Sequence, residues 1–243
     1  MKNYNLGFVA DEIIFEHVKQ TVLKYRHCID LKQFNENIID PIKLTFDAKV
    51  YGKSFEEIIE AECVRQIDKT NSNHIGYFHQ NLFKLVGRGW EVPDTGFDII
   101  NVDRHLYAEL KNKHNTMNSN AAKSVYMKMQ DKILHDDQAV CMLVEVIATK
   151  SQDIPWYKDT LSHKNIRRVS IDKFYDIVFD DDSAFYKLCK ALPDILDDVI
   201  ANLHQGHIQN SVYQELHNLS PDTLKSLYLL SFETYDGFNY QKK

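Results

Sequence analysis

Two carboxylates and one ammonium group in this sequence are spaced so that they could bind a metal ion and cut a phosphodiester bond. Asp98, Glu109 and Lys111 form the pattern D-x10-E-x-K. Carboxylate oxygens are the ligands that hard divalent cations such as Mg2+ prefer. A lysine beside them could orient or deprotonate an attacking water and stabilise charge that develops in the transition state. The three residues are therefore candidates for a hydrolytic site.

The candidates lie on two short apolar segments that predict a β-hairpin. Residues 96–100 and 106–111 are rich in strand formers, and residues 101–105 between them supply turn-forming side chains. We expect the chain to turn about Asp103 and Arg104. The position of this turn decides which residues face each other across the hairpin.

With that turn, Asp98 lies directly opposite Glu109. Side chains alternate between the two faces of a strand, so Glu109 and Lys111 share a face with Asp98 while Leu110 points into the core. Two facing carboxylates repel each other unless a cation lies between them. The hairpin therefore predicts a Mg2+ site whose ligands are the carboxylates of Asp98 and Glu109 and the backbone carbonyl of Leu110.

The same spacing permits a second interpretation, in which these residues are the solvated face of an ordinary hairpin. Asp, Glu and Lys are common at protein surfaces. The surrounding sequence favours the catalytic interpretation, because a helical pattern precedes the hairpin and a second helical pattern and a buried strand follow it.

The elements around the hairpin predict an α/β fold with a mixed sheet flanked by helices. Residues 140–147 form the most apolar segment of the chain, which is short and typical of a strand covered on both faces. A helix capped by Ser119 would cross over between the hairpin and this strand. Residues 151–166 are polar and predict an irregular segment. A short strand is predicted at 90–92, and helices at 11–28, 54–68, 76–86, 119–134, 172–178, 183–202, 211–219 and after Ser220.

The composition is that of an ordinary globular protein. Of the 243 residues, 44% are hydrophobic and 26% are charged, which excludes a disordered or fibrous chain. No apolar run approaches the ~20 residues that span a bilayer, and residues 1–5 lack the apolar core of a signal peptide. We therefore expect a cytoplasmic protein with no membrane partner. The four cysteines lack paired spacing and are predicted to be buried, reduced thiols.

The formal net charge of -6 argues against a nucleic-acid binder, but the charge is unevenly distributed. Residues 100–173 hold 12 basic and 9 acidic residues, whereas residues 174–243 hold 5 and 11. The middle third, which begins at the hairpin, is thus the net positive part of the chain. Chance could produce this distribution, yet an acidic protein can bind DNA where its charges are segregated and metal ions neutralise its carboxylates.

The hairpin resembles the PD-(D/E)xK motif of nucleases. Two longer segments resemble a family of type II restriction endonucleases that cut the palindrome GGNCC. They are residues 73–81, Asn-His-Ile-Gly-Tyr-Phe-His-Gln-Asn, and residues 109–118, Glu-Leu-Lys-Asn-Lys-His-Asn-Thr-Met-Asn. The likeness extends from residues 5–8 to the final helices, and the segment from residue 111 to residue 118 is far more specific than the nuclease triad.

The match to the nuclease motif has one departure. Phe97, not proline, precedes Asp98. Pro93 and Asp94 offer a literal Pro-Asp pair, but they lie in a turn before the strand and out of register with Glu109. Strand alternation therefore favours Asp98 over Asp94.

The resemblance implies a restriction-endonuclease-like α/β core, Mg2+ as cofactor and double-stranded DNA as substrate. Residues 1–243 would form a single endonuclease domain, with a helical N-terminal part at 1–70, the catalytic core at 71–180 and C-terminal helices at 181–243. In-line hydrolysis would leave a 5′-phosphate and a 3′-hydroxyl. Because a palindrome presents two equivalent strands, a homodimer is expected, paired with a cognate DNA methyltransferase in a restriction-modification system.

Further side chains are candidates for roles around the hairpin. Arg167 and Arg168 could make paired hydrogen bonds to guanine in the major groove, or could contact only phosphates. Gln80 is an accessory candidate near the metal, or a packing residue. Glu145 would salt-bridge a lysine near the site or emerge at the sheet surface, because an unpaired buried carboxylate is costly. The predicted DNA-contacting residues are Lys113, His114, Asn115, Asn118, Arg167 and Arg168.

The sequence thus predicts a Mg2+-dependent endonuclease that cuts double-stranded DNA at a short palindrome. Two alternatives stay open. A structure-specific or repair nuclease of the same fold would nick DNA or resolve branches rather than cut a plasmid into discrete bands. A non-catalytic DNA-binding protein would be unaffected by Asp98→Ala and Lys111→Ala.

Overall fold

The computed structural model describes residues 3–114, 117–157, 162–203 and 209–232. The helices in these ranges are α1 (Asp11–Leu23), α2 (Leu31–Glu36), α3 (Pro41–Tyr51), α4 (Phe55–Leu85), α5 (Ser119–His135), α6 (Ile171–Phe179), α7 (Ala184–Asn202), α8 (Val212–Leu219) and α9 (Thr223–Phe232). The strands are β1 (Cys28–Ile29), β2 (Trp90–Glu91), β3 (Ile99–Asn101), β4 (Leu106–Lys113), β5 (Val140–Ile147), β6 (Asp153–Pro155), β7 (Ile166–Ser170) and β8 (Gln209–Asn210). No helix in the described ranges combines the length and apolarity needed to cross a membrane.

The chain divides into two compact units, neither of which is continuous in the sequence. Unit 1 comprises Met1–Leu23 and His74–His204, and unit 2 comprises Lys24–Asn73 and Gln205–Lys243. The boundary between residues 73 and 74 falls inside α4. The candidate hairpin belongs to unit 1.

Unit 1 contains a six-stranded mixed sheet with the order β2-β3-β4-β5-β7-β6. β4, β5 and β7 are parallel, while β2 pairs antiparallel with β3, β3 with β4, and β6 with β7. The helix α5 joins β4 to β5, and two parallel neighbours need such a crossover because a tight turn cannot connect them. The predicted α/β class and mixed sheet are confirmed.

β5 contributes to two apolar clusters of unit 1. Met142 and Val144 pack in the cluster that includes α6, whereas Cys141 and Leu143 pack in the cluster that includes α5. Alternate residues of a strand point to opposite faces, so both faces of β5 are covered. This explains its uninterrupted apolar sequence, and the strand has the predicted bounds.

Unit 2 is mainly helical and has an apolar cluster of its own, drawn from α2, α3, the first part of α4, α8 and α9. β1 and β8 add a short parallel pair. The predicted capping box begins α4: the Ser54 amide donates to Glu57 Oε2 at 2.8 Å, and the Glu57 amide donates to Ser54 Oγ at 3.2 Å. These bonds satisfy two amides at the start of the helix, which lack partners within it.

Two helix predictions differ from the structure. α4 is one continuous helix where the sequence predicts separate helices at 54–68 and 76–86. The polar residues between those segments are weak helix formers, but Asn71 is held by Arg26, whose amide donates to Asn71 Oδ1 at 2.8 Å. α1 ends at Leu23 rather than near residue 28. The contact between Arg26 and Asn71 is distant in sequence, so the periodicity of either segment does not reveal it.

The main error of the sequence prediction concerns β6 and β7. Residues 151–166 are predicted to be irregular, yet β6 lies among them and β7 begins at Ile166. β7 lies inside the sheet, between β5 and β6. Its central residues Arg167 and Arg168 hide the strand from a hydropathy pattern, because their burial depends on acidic partners on the neighbouring strands.

The four cysteines are free thiols, as predicted. Cys63 and Cys141 are buried, which agrees with the prediction, and burial raises the pKa of each to about 12. Cys28 and Cys189 are exposed, so the prediction that all four are buried is wrong. An apolar sequence context does not show which side of a helix or strand faces solvent.

Candidate active site

The hairpin of β3 and β4 has the register that the sequence predicts. Ile99 pairs with Ala108, so Asp98 and Glu109 occupy the next pair of facing positions. β3 begins at Ile99, which leaves Asp98 just before the regular strand. The two carboxylates are therefore brought together by the register of the two strands.

Asp98 is held by a backbone hydrogen bond. Its Oδ2 accepts the amide of Leu110 at 2.7 Å. Burial and the charge of Glu109 raise the pKa of Asp98, against the lowering effects of the Leu110 amide and of Lys111 and Lys128. The raised pKa reflects two like charges in a partly desolvated site, which is the situation that a bound cation relieves.

Glu109 is 9% exposed and is paired with two ammonium groups. Lys111 Nζ donates to Glu109 Oε1 at 2.9 Å, and Lys128 Nζ donates to Glu109 Oε2 at 2.7 Å. Burial raises the pKa of Glu109, but the hydrogen bonds and charges of the two lysines outweigh it, so the pKa lies below its usual value. Glu109 therefore favours the ionised form, as a metal ligand must.

Lys128 of α5 belongs to this site although sequence reasoning did not select it. Its Nζ also donates to the carbonyl of Gly96 at 2.6 Å and lies 4.5 Å from the ring centroid of Phe97. Gly96 has φ +96°, a conformation that residues with a side chain rarely adopt. The turn at Gly96 and the ring of Phe97 thus give the ammonium group a defined position beside Glu109.

The sequence does indicate that Lys128 lies near Glu109, but only when the pattern of α5 is combined with that of β4. Val125 and Met129 mark the face of α5 that packs on the sheet, and Lys128 lies three residues after Val125 on the flank of that face. The face of the sheet that α5 covers also carries Tyr107, and hence Glu109 by alternation. A polar residue at the margin of a crossover helix can therefore reach the catalytic strand.

The donor set fits a hard divalent cation. Asp98 and Glu109 supply carboxylate oxygens from facing positions, and the chain at Leu110 adjoins both. Among the described residues no group of three or more His, Cys, Asp or Glu side chains is able to hold a metal, at this site or elsewhere. The fit therefore depends on the two carboxylates with a backbone oxygen.

A second polar cluster lies on the adjacent strands. Glu145 of β5 is 1% exposed. Arg168 Nε donates to Glu145 Oε1 at 2.9 Å, and His114 Nδ1 lies 3.2 Å from Glu145 Oε2. Arg168 Nη2 also lies 2.8 Å from His114 Nδ1. Of the two alternatives that the sequence left for Glu145, emergence at the sheet surface is wrong, because the residue is buried. The partners found for it among the described residues are an arginine and a histidine, where the other alternative expected a lysine.

The predicted DNA-contacting arginines have different surroundings. Arg168 is half-buried against Glu145, whereas Arg167 forms an ion pair with Asp153 of β6. Arg167 Nη2 also donates to the Asp153 carbonyl at 2.7 Å. The two side chains therefore do not form one patch: each is held by an acidic residue of a different strand.

The other predicted contact residues are scattered. Lys113 is exposed at the end of β4, and Asn115 lies outside the described residues. Asn118 is the N-cap of α5, where its Oδ1 accepts the Ala121 amide at 2.9 Å, so the expectation that Ser119 is the cap is wrong. Gln80 is half-buried on α4, and no hydrogen bond between described residues joins it to the carboxylates.

Comparison with known proteins identifies relatives. Residues 6–201 match the model of the Eco47II restriction endonuclease family. The chain is 35% identical over 219 residues to the type II restriction enzyme Sau96I of Staphylococcus aureus, an alignment that covers 82% of this chain and 83% of that enzyme. It is 30% identical over 213 residues to the type II restriction enzyme Eco47II of Escherichia coli, covering 81% and 88%.

Proposed function

This chain belongs to the Eco47II restriction endonuclease family, and we propose that Asp98, Glu109 and Lys111 form the site at which it hydrolyses DNA. As a type II restriction endonuclease, it cleaves double-stranded DNA at specific sites in a restriction system. The proposal for the site is supported above all by the register of β3 and β4, in which two carboxylates face each other and a lysine contacts one of them.

The cofactor in this proposal is Mg2+. Type II restriction endonucleases depend on a divalent metal, and the oxygen donors of Asp98, Glu109 and the Leu110 carbonyl suit Mg2+. When bound, the ion would neutralise charge on the scissile phosphate and lower the pKa of a water ligand. Asp98 and Glu109 would hold it in place.

Lys111 would act on the attacking water. Its side chain lies on the face that carries Glu109 and is 28% exposed, so substrate can approach it. From that position it would orient or deprotonate the water and stabilise negative charge on the phosphate. In-line attack breaks the bond to the 3′-oxygen, which leaves a 5′-phosphate and a 3′-hydroxyl.

We further propose GGNCC as the recognition sequence, supported by the resemblance of residues 73–81 and 109–118. A palindrome presents the same bases on both strands, so a homodimer would place one site on each strand. A cognate DNA methyltransferase would protect the same sequence in the host genome.

The DNA contacts are proposed around the end of β4 and on β7. Arg168 and Arg167 are the candidates for guanine, since arginine can donate two hydrogen bonds to guanine O6 and N7. Gln80 is retained as an accessory candidate. The residues proposed for phosphate or base-edge contacts are Lys113, His114, Asn115 and Asn118.

Digestion of an unmethylated plasmid of known sequence tests this function. The protein and Mg2+ should give discrete linear fragments, and sequencing of the ends should place every cut inside GGNCC. A matched plasmid in which one G or C of a single GGNCC site is changed should lose that cut and keep the others. Chelation of the metal with EDTA should stop cleavage, and added Mg2+ should restore it.

The same assay separates the alternatives. Fragments cut at a different common sequence would refute GGNCC but not the endonuclease assignment. Nicking without discrete bands, with preference for branched substrates, would favour a structure-specific nuclease. Intact plasmid on several site-rich substrates would contradict the catalytic proposal.

A further inference from the structure

We propose that Lys128 is a competing cation of the Asp98 and Glu109 site, which occupies Glu109 in the free protein and must leave it when a divalent ion binds. This inference rests on the proposed function, because it takes the two carboxylates to be the metal ligands. Its consequence is that metal binding and DNA binding favour each other, since the phosphate of bound DNA offers the displaced ammonium group a new partner.

The Lys128 ammonium group contacts two oxygen atoms and an aromatic ring, all of which attract cations. Its Nζ lies 2.7 Å from Glu109 Oε2 and 2.6 Å from the Gly96 carbonyl oxygen, and 4.5 Å from the centre of the Phe97 ring. A carboxylate oxygen and a backbone carbonyl oxygen are also the donors that a hard metal ion prefers. Lys128 therefore uses a ligand that the metal needs.

The charges of the site make this competition strong. Asp98 and Glu109 carry two negative charges, and Lys111 and Lys128 carry two positive charges, so the four side chains together are neutral. A divalent ion would make the cluster doubly positive if both lysines stayed. Departure of one ammonium group and arrival of a phosphate each reduce that excess, so both events should strengthen metal binding.

Lys128, rather than Lys111, is the group that moves in this proposal, because Lys111 is assigned to the attacking water and has to stay beside it. Lys128 reaches Glu109 from α5 through a flexible side chain that is 33% exposed. A lysine ammonium is a compact charge with three donors that can turn toward a new acceptor. Its contact with the Phe97 ring does not depend on Glu109, so it can release the carboxylate and stay beside the site.

Lys132 provides a matched control on the same helix. Its Nζ lies 4.2 Å from the centre of the Tyr107 ring and 3.9 Å from Asp136 Oδ2. Like Lys128 it combines an aromatic ring with a carboxylate, and its side chain is 29% exposed. Asp136 is not one of the proposed metal ligands, so removal of the Lys132 charge should leave the metal affinity unchanged.

Calorimetric titration of Ca2+ into the free protein tests the inference without relying on cleavage. Lys128→Met should bind Ca2+ at least about 5-fold more tightly than the unmodified protein, in the range usual for coupling between sites. Lys132→Met should bind it as the unmodified protein does. Lys128→Gln, which also removes the charge, should repeat the effect, and circular dichroism should show that each variant keeps its fold.

Titrations in the presence of a duplex that contains GGNCC test the coupling. The duplex, checked on a gel for integrity, should increase the Ca2+ affinity of the unmodified protein, and the increase should be at least about 5-fold smaller in Lys128→Met. Equal Ca2+ affinity in Lys128→Met, Lys128→Gln and the unmodified protein would overturn the inference.

Asp98→Asn distinguishes this failure from failure of the proposed function. If Asp98→Asn abolishes Ca2+ binding while Lys128→Met does not strengthen it, the metal site stands and only the role of Lys128 fails. If Asp98→Asn leaves Ca2+ binding intact, the two carboxylates are not the metal site, and both proposals fail together.

Discussion

Glu109 and Glu145 are buried carboxylates on neighbouring strands of one sheet, but they are held in different ways. Glu109 of β4 is in register with Leu143 of β5, so Glu145, two residues further on, points to the same face. The Glu109 side chain is 12% exposed and the Glu145 side chain is 2% exposed. Glu109 thus lies near solvent, whereas Glu145 is almost completely buried.

The partners of Glu109 are two partly exposed lysines. Lys111 and Lys128 are each about one third exposed, with side-chain exposures of 28% and 33%. An ammonium group that loses its carboxylate there can return to water at modest cost. Glu109 therefore favours the ionised form, and its two partners are groups that water can also solvate.

The partners of Glu145 fix it in place. Arg168 presents two nitrogens, Nε and Nη2, to Glu145 Oε1, and His114 lies on Oε2. A planar guanidinium fits a carboxylate in a defined geometry, and a buried charge without a partner is costly. The difference teaches that burial of a carboxylate does not by itself mark a catalytic site. Glu109 faces Asp98 and is paired with two lysines, whereas Glu145 is paired with Arg168 and His114.

Substitution of Asp98, which faces Glu109, should have the largest effect on the rate of DNA cleavage. Asp98→Asn removes a charged ligand beside Glu109, and we expect DNA cleavage to slow by about 10³-fold, at the upper end of losses seen when one charge-stabilising group is removed. Single-turnover cleavage of a GGNCC duplex with Mg2+ measures the rate. The matched variant is Asp94→Asn, an exposed carboxylate of the preceding turn. It should cleave normally, and the reverse result would show that Pro93 and Asp94 form the motif.

Substitution of Arg168 should have the largest effect on stability. Arg168→Met leaves Glu145 buried with a weaker partner and should lower the free energy of unfolding by about 3 kcal/mol, the lower end of the range for broken buried pairs. Lys128→Met should cost under about 1 kcal/mol because its pair with Glu109 is partly exposed. Urea unfolding followed by circular dichroism compares them.

A double variant identifies the cause of that loss. Arg168→Met combined with Glu145→Met removes both charges and should recover most of the stability, because an apolar pair can replace a buried ion pair. If the double variant is as unstable as Arg168→Met alone, lost packing rather than an unpaired carboxylate is responsible.

His79 is a third buried titratable group, and it differs from the two glutamates because its partners carry no negative charge. His17 of α1, Tyr175 of α6 and Phe185 of α7 face it, and Tyr175 OH lies 2.8 Å from its Nδ1. Burial, with a smaller effect from His17, lowers the pKa of His79 from 6.5 to about 4. As the pH falls from about 6.5 to about 4, the unfolded chain binds a proton that the native chain does not, so the protein should lose up to about 3 kcal/mol of stability.

Urea titrations at several pH values measure this loss. His79→Gln should flatten the dependence of stability on pH between pH 6.5 and pH 4. His135→Gln, which changes a histidine that is 75% exposed, should leave the slope unchanged. An unchanged slope in His79→Gln would show that another group causes the acid sensitivity.

The smallest expected effect concerns the helix that carries Lys128. Asn118→Ala removes the side-chain cap of α5 and should lower stability by about 1 kcal/mol, whereas Asn118→Asp keeps an oxygen acceptor and should preserve it. Thermal unfolding measures both. If Asn118 also contacts DNA, Asn118→Asp should weaken duplex binding in a fluorescence titration even though the helix remains capped.

Much of the fold could be predicted where a local pattern decides it. β5 has the predicted bounds, α7 and α8 begin within one residue of prediction, and the capping box of α4 forms with both hydrogen bonds. In each case the deciding interactions lie along a few consecutive residues or follow from hydrophobic periodicity. The same reasoning fails for β7, because its two arginines are paired with acidic residues on other strands.

The amino-acid sequence by itself determined the hairpin register, the opposition of Asp98 and Glu109, and the family resemblance, because strand alternation and short motifs are local properties. Only the tertiary structure decided that Lys128 contacts Glu109 and that Arg168 and His114 contact Glu145. These pairs join residues 19, 23 and 31 positions apart through a crossover helix and parallel strands. Their formation depends on which elements pack together, and charges of this kind carry no periodic signal that would reveal a partner in advance.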